Sequence, residues 1–258
     1  MTAPTRRIDR GRNHSYILDG RDVPGVTTIL SRGLPKPALV GWAARTVAQT
    51  AVEQYDHWKD LSEGAATDWL RQSPYSDRDK AANRGTAVHH YAEQLAAGDE
   101  VEIPQELAGH VDAYLAFRDD WAPTAEIVEA VVVNRTCRYM GTLDLVCNID
   151  GLGRCLIDLK TNRSGPFGDM ALQLAAYRYA ETFIDDTGTE QPMPHIDWTG
   201  VLWLRTDGYD LHPFVADADT FRVFRYIQQV AWWIDNRERA AKGDAIYPPA
   251  PPELEVVS

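Results

Sequence analysis

The chain has 258 residues, of which 44% are hydrophobic and 25% are charged, as in a soluble globular protein. No apolar run approaches the ~20 residues that a membrane-spanning helix needs, and the charged N-terminus lacks the apolar stretch of a secretory signal. We therefore expect a cytoplasmic protein without membrane partners. Three cysteines without a Cys-x-x-Cys spacing exclude a disulfide framework and a four-cysteine cluster. The formal net charge of −12 gives no general attraction to nucleic acid, so such a substrate would need locally concentrated basic residues.

The predicted elements mix helices and strands as an α/β fold requires. Residues 15–30 predict a short hairpin followed by a buried segment. Pro35 and Pro37 open a predicted helix with a buried apolar face, and a loop at residues 73–75 separates it from a second helix that ends at Gly98. The later predicted elements follow in chain order: a helix over residues 104–121, strands over 127–133, 141–146 and 155–161, a helix over 167–184, strands over 201–204 and 209–215, and a helix over 218–241.

This order predicts a single domain over residues 1–242, built on a mixed central sheet flanked by helices. Its core is expected over residues 84–240, with an N-terminal helical elaboration over residues 15–83. The proline-rich tail at residues 243–258 is expected to be extended or disordered, because proline cannot continue the preceding helix.

Asp158 and Lys160 form the most informative pair in the chain. They lie two residues apart in a run of strand-forming residues, so both side chains should project from the same face of a strand. Asp144 lies in a similar run upstream, and Asp150 and Gly151 between the two runs predict a turn. Two adjacent antiparallel strands would then hold Asp144 and Asp158 side by side.

Paired carboxylates in a partly buried place repel each other, and a divalent cation such as Mg²⁺ or Mn²⁺ relieves that repulsion. A cation beside a lysine suits phosphate chemistry, because the ion activates water and the ammonium stabilises developing negative charge. Asp144, Asp158 and Lys160 thus predict phosphodiester hydrolysis. The alternative is an ordinary edge hairpin whose charged residues are solvated.

Two pairs of residues at helical i, i+4 spacing add further candidates. His89 is a candidate metal ligand with Glu93 as a further ligand or an orienting residue; alternatively, His89 packs against the sheet and Glu93 is solvated. Gln173 and Tyr177 could bind a substrate phosphate or steady the carboxylates, or could be ordinary helix-surface residues.

Three other residues are candidate contacts to a phosphate backbone. Thr161 and Arg163 follow Lys160 in a short polar loop, where small donors and an arginine could bind phosphate, although turn chemistry alone also favours such residues. Arg84, close to His89 in the sequence, is the third.

Four motifs in this order resemble those of the PD-(D/E)XK nucleases of the RecB-like branch. This branch includes the nuclease domains of recombination helicases, the CRISPR-associated iron–sulfur exonucleases and many phage exonucleases. The motifs cover roughly residues 84 to 180: Arg84-Gly85-Thr86-Ala87-Val88-His89, Gly141-Thr142-Leu143-Asp144, Ile157-Asp158-Leu159-Lys160-Thr161 and Gln173-Leu174-Ala175-Ala176-Tyr177.

The resemblance implies a restriction-endonuclease-like core and assigns roles to the motif residues. It implies that His89, Asp144 and Asp158 bind Mg²⁺ or Mn²⁺ with help from the backbone carbonyl of Leu159, and that Lys160 assists the nucleophilic water. The cysteine quartet of the iron–sulfur members has no counterpart here, so no such cluster is expected.

The first hypothesis for function is a metal-dependent DNA exonuclease that acts on duplex ends in phage or host recombination and repair. The resemblance suggests a single-strand annealing or single-strand-binding protein as a companion, and the oligomeric state stays open. The alternatives are a structure-specific or restriction-type endonuclease, a catalytically silent nucleic-acid-binding protein, and a zinc hydrolase built on His89, His90 and Glu93.

Overall fold

The computed structural model describes residues 4–10, 13–98 and 101–247, with strands and helices over most of this range. These elements are, in chain order, β1 (Arg6–Arg10), β2 (Asn13–Leu18), β3 (Arg21–Val23), α1 (Val26–Gly33), α2 (Pro37–Glu53), α3 (Tyr55–Trp58), α4 (Glu63–Ala97), α5 (Ala108–Trp121), β4 (Thr124–Asn134), β5 (Tyr139–Ile149), β6 (Gly153–Lys160), α6 (Met170–Arg178), β7 (Thr182–Ile184), β8 (Glu190–Pro192), β9 (Trp198–Arg205), β10 (Gly208–Pro213) and α7 (Ala218–Asn236).

Seven strands form the main sheet in the order β10-β9-β6-β5-β4-β7-β8, and β1, β2 and β3 form a small antiparallel sheet. In the main sheet β6 and β9 run parallel, whereas the other neighbouring strands run antiparallel. Asp150 and Gly151 lie in the turn between β5 and β6, and Gly151 takes a φ of +82° there. The predicted α/β class with a mixed central sheet is confirmed.

Helices cover both faces of the main sheet, and successive strand residues separate into the two layers because side chains alternate along a strand. Leu156 belongs to the apolar core beneath α1, α6 and α7. Its neighbour Ile157 belongs to the core beneath α4 and α5. The central strands β5 and β6 are therefore buried on both sides, as a run of strand-forming residues requires.

The structure differs from the prediction in the N-terminal elaboration. The loop predicted at residues 73–75 is wrong: α4 runs continuously through the buried Pro74. The hydroxyl of Ser73 donates to the Leu70 carbonyl at 2.8 Å, the acceptor that the absent proline N–H would otherwise have used. The buried face predicted for α2 is also wrong. Leu39, Val40 and Val52 are exposed, and Thr46 is the buried residue of this helix, because α2 packs mainly against α4.

Other elements also differ from the prediction. The helix predicted over residues 167–184 ends at Arg178, and residues 182–184 instead form β7, which pairs with β4. The buried segment predicted before residue 30 is the helix α1. In the tail, residues 243–247 are exposed and form neither helix nor strand, whereas residues 248–258 lie outside the described part of the chain. Among the described helices, none combines the length and the hydropathy needed to cross a bilayer.

Adjacent residues of α7 test this arrangement of layers. Phe224 is fully buried, whereas Val223 is 48% exposed. Phe224→Ala should lower the free energy of unfolding by about 3–5 kcal/mol through the cavity it leaves, and Val223→Ala should change it by at most about 0.5 kcal/mol. Urea titration followed by circular dichroism measures both, and equal midpoints for the two variants would contradict the assigned core face of α7.

Candidate active site

The site begins where β5 and β6 separate. Their regular pairing runs from Ile149 and Gly153 to Leu145 and Ile157. Beyond that point the backbone N–H of Leu159 donates to Asp144 Oδ2 at 2.7 Å. A side-chain carboxylate thus replaces a backbone carbonyl as the acceptor, which satisfies a strand N–H and fixes the position of Asp144 at the same time.

Glu129 of β4 faces this point from the other side. Val128 pairs with Leu145 and Ala130 pairs with Leu143, so Glu129 and Asp144 occupy the same register position between these pairs. The backbone of Glu129 has a φ of 47°, in the left-handed region that a glutamate rarely adopts inside a strand. Such strain costs on the order of 1–3 kcal/mol and is concentrated at functional sites.

His89 of α4 completes a cluster with these two carboxylates. Its Nδ1 lies 3.5 Å from Glu129 Oε1 and 3.6 Å from Asp144 Oδ1, and its Nε2 donates to the Leu159 carbonyl at 2.9 Å. His89, Glu129 and Asp144 each offer one potential ligand atom, and these three atoms lie within 4.8 Å of one another. One imidazole and two carboxylates are a donor set that can hold a divalent cation.

The electrostatics of His89 reflect its two acidic neighbours. Burial lowers the pKa of the imidazole, but the carboxylates of Asp144 and Glu129 outweigh burial and raise this pKa to about 9. The cluster therefore attracts positive charge strongly enough to hold a proton on a largely buried ring.

A second group of side chains adjoins this cluster on β6 and α6. Asp158 is 2% exposed, its Oδ2 forms an ion pair with Lys160 Nζ, and its Oδ1 accepts a hydrogen bond from Gln173 Nε2 at 2.7 Å. The same Gln173 nitrogen lies 3.2 Å from the hydroxyl of Tyr177. Both oxygens of Asp158 thus have partners, and α6 holds the carboxylate in place.

The pKa values of this group are strongly shifted. Burial raises the pKa of Asp158 to about 6, although the Lys160 ammonium opposes that rise. For Lys160 burial lowers the pKa, yet the neighbouring Asp158 and Asp144 carboxylates prevail and the net shift is upward, so the ammonium stays charged at neutral pH. Burial, followed by the charges of Asp158 and Asp144, raises the pKa of Tyr177 well above its ordinary value, so it remains a neutral phenol.

The structure thus divides the predicted metal ligands into two groups. His89 and Asp144 lie in the three-residue cluster, whereas Asp158 is engaged by Lys160 and Gln173, and the Leu159 carbonyl is engaged by His89.

The other predicted residues lie around these groups. Thr161 is buried, and a Cβ built on Gly85 would lie 3.3 Å from its hydroxyl, so the His89 helix and the end of β6 are in close contact. Arg84 is half-buried, and its Nε has no hydrogen-bond partner among the described residues. Arg163 is exposed.

Glu93 does not join the cluster. Its carboxylate is about half exposed and pairs with His90 Nδ1 at 3.7 Å, so α4 directs it along its own outer surface. The acidic position expected beside His89 is occupied by Glu129, which the sequence analysis did not identify as a site residue. The sequence did contain an indication of this role, since Glu129 is the lone charged residue in the strand-forming run 127–133.

Neither a scan against protein-family models nor a search of curated proteins gave a match for this chain.

Gly141 tests how tightly α6 is held against the site. A Cβ built at this position would lie 2.6 Å from Cε1 of the buried Tyr177 ring and 3.1 Å from a methyl group of Val26. Gly141→Ala should therefore lower the free energy of unfolding by about 1–3 kcal/mol, because neither neighbour can move freely. Gly168→Ala is the matched control, since no atom of the described residues lies within 4 Å of its Cβ position. If differential scanning calorimetry gave equal melting temperatures for the two variants, the packing of Tyr177 over Gly141 would be contradicted.

Proposed function

We propose that the protein is a metal-dependent deoxyribonuclease that hydrolyses phosphodiester bonds at DNA ends. The observation that carries this proposal is the meeting of His89, Glu129 and Asp144 beside the buried Asp158–Lys160 ion pair, at the point where two central strands separate. Acidic ligands next to a buried ammonium suit phosphoryl transfer, where negative charge must be both bound and stabilised. All of these residues except Glu129 belong to the four motifs that resemble those of the RecB-like nucleases.

The donor set supports a divalent cation such as Mg²⁺ or Mn²⁺. Three carboxylates face one ammonium and one imidazole, so the site has an excess of negative formal charge even when the imidazole is protonated. His89, Glu129 and Asp144 would hold the ion, with Asp158 adjoining them. A bound divalent cation would supply a Lewis acid for a phosphoryl oxygen and would lower the pKa of bound water.

The protein's own residues would orient the reacting groups. Lys160 presents a charged ammonium that can donate to the attacking water and to the developing negative charge. Gln173 fixes Asp158, which in turn fixes Lys160, so α6 determines where that ammonium lies. The hydrogen bond from the Leu159 N–H holds the Asp144 carboxylate toward His89.

Substrate binding must overcome a net charge of −12. Arg84 and Arg163 are the predicted contacts to the phosphate backbone, and a few local cations suffice because each contacted phosphate releases bound counterions. Such binding should weaken steeply with salt. A companion protein that receives the strand left behind, and a cytoplasmic location, belong to the same proposal.

The activity is tested on end-labelled linear duplex DNA and covalently closed circular DNA, with Mg²⁺, Mn²⁺ or EDTA. We expect metal-dependent loss of the linear DNA alone, and a decrease of at least about 100-fold for Lys160→Ala, because the variant lacks the charge that stabilises the transition state. Lys242→Ala, at an exposed position in the chain, is the control. Cleavage of the circle would indicate an endonuclease instead. A folded protein that binds DNA without cleaving it under any condition would reject the enzyme proposal in favour of a silent binding protein.

The ligand set is tested separately by titration calorimetry with Mn²⁺. Glu129→Gln should weaken Mn²⁺ binding by at least about tenfold, because it removes a carboxylate from the cluster. Glu93→Gln removes a carboxylate on the same helix as His89 that pairs with His90, and it should leave the affinity unchanged. The reverse result would assign the ligand to Glu93 and reject the cluster seen in the structure.

A further inference from the structure

α7 carries a second apolar stripe that the core does not use. Its inner face buries Phe224, Ile227 and Ala231 against the sheet layer. Of the five large apolar residues that α7 leaves exposed, Trp232 at 50% lies off this stripe, and the other four form it: Val223 at 48%, Tyr226 at 64%, Val230 at 47% and Trp233 at 46%. Large apolar side chains clustered in this way on a surface mark an interaction site more often than an ordinary solvated face.

The spacing of the stripe is that of a coiled-coil seam. Val223, Tyr226, Val230 and Trp233 follow one another at intervals of three, four and three residues, which are the a and d positions of two consecutive heptads. The same register continues to Asp219 at one end and to Arg237, the residue after the helix, at the other. The seam is therefore apolar in the middle, acidic at its N-terminal end and basic at its C-terminal end.

We propose that the occupant of this stripe is a second copy of the chain, bound through α7 in an antiparallel pair about a two-fold axis. An antiparallel seam places a positions opposite d positions of the partner helix. Centred between Tyr226 and Val230, this pairing sets Val223 against Trp233 of the other copy and Tyr226 against its Val230. Every contact then occurs twice, as a two-fold interface requires.

Charge complementarity selects this orientation. The antiparallel register brings Asp219 of one copy opposite Arg237 of the other, at both ends of the seam. A parallel pair would instead set Asp219 against Asp219 and Arg237 against Arg237, and like charges in contact are destabilising. Among the described residues, Asp219 forms an ion pair with the exposed Arg222, and Arg237 lies over the Trp232 ring with its Cζ 5.8 Å from the ring centroid. Both therefore remain at the surface to contact a partner.

The size of the stripe fits a weak dimer. A three-turn seam buries less than a standard interface of roughly 800 Å² per partner, so we expect a dissociation constant on the order of micromolar. The dimer should therefore depend on protein concentration.

The experiment is sedimentation equilibrium of the full chain over a range of concentrations. Wild-type protein should change from one to two copies as concentration rises, and Val230→Glu, which places two charges at the centre of the seam, should stay monomeric. Val52→Glu is the matched control, because Val52 is an exposed valine on α2, and it should dimerise like the wild type. Circular dichroism melts establish that each variant is folded.

Charge reversal tests the register. Asp219→Arg alone and Arg237→Asp alone should each weaken dimerisation about five- to tenfold, because each places like charges together at two sites. The double variant should restore it. Single reversals that leave the dimer unchanged would indicate a parallel pair, in which each reversal only exchanges one pair of like charges for another. A dimer that survives Val230→Glu would lie on another surface; either result overturns the proposal. So does a monomeric wild type that dimerises only after removal of residues 248–258, because the stripe would then be occupied by the protein's own tail.

Discussion

The hydrogen bond from the Leu159 N–H to Asp144 is the constraint on which the candidate site depends. It ends the regular pairing of β5 and β6 without leaving a buried donor unsatisfied. It also fixes the position of the Asp144 carboxylate. With the strands separated, the Leu159 carbonyl is free to accept from His89. One interaction therefore positions a residue of β5, the backbone of β6 and a side chain of α4.

This arrangement concentrates negative charge in a place where it is costly. Asp144, Glu129 and Asp158 are drawn together by backbone register and not by mutual attraction, and the strained φ of Glu129 adds to the cost. The fold offsets that cost with the Lys160 ion pair, the Gln173 hydrogen bond and a proton on His89. Strain and unbalanced charge of this kind are concentrated at functional sites, and they support the cation binding that we propose.

The sequence predicted the parts of the site that follow from short-range periodicity. Asp158 and Lys160 share a face because strands alternate, Gln173 and Tyr177 share a face because helices repeat every 3.6 residues, and the Asp150–Gly151 turn brought β5 beside β6. Glu129 escaped prediction because its role comes from the register of β4 on β5, which neither strand's sequence contains. The loop predicted at Pro74 was wrong because the Ser73 hydroxyl donates to the Leu70 carbonyl in place of the absent proline N–H, and α4 continues.

α7 shows the same limit from the opposite side. Its sequence presents apolar residues around much of the helix, from Phe224 and Ile227 to Val230 and Trp233, and periodicity alone cannot tell a core face from a second apolar face. Contact with α1 and α6 selects the first pair for the core and leaves the second pair outside. Leaving four large apolar side chains in water lowers solubility without any gain within a single chain. The heptad spacing of these side chains and the opposite charges at their two ends gain a physical purpose only when a second helix packs against them.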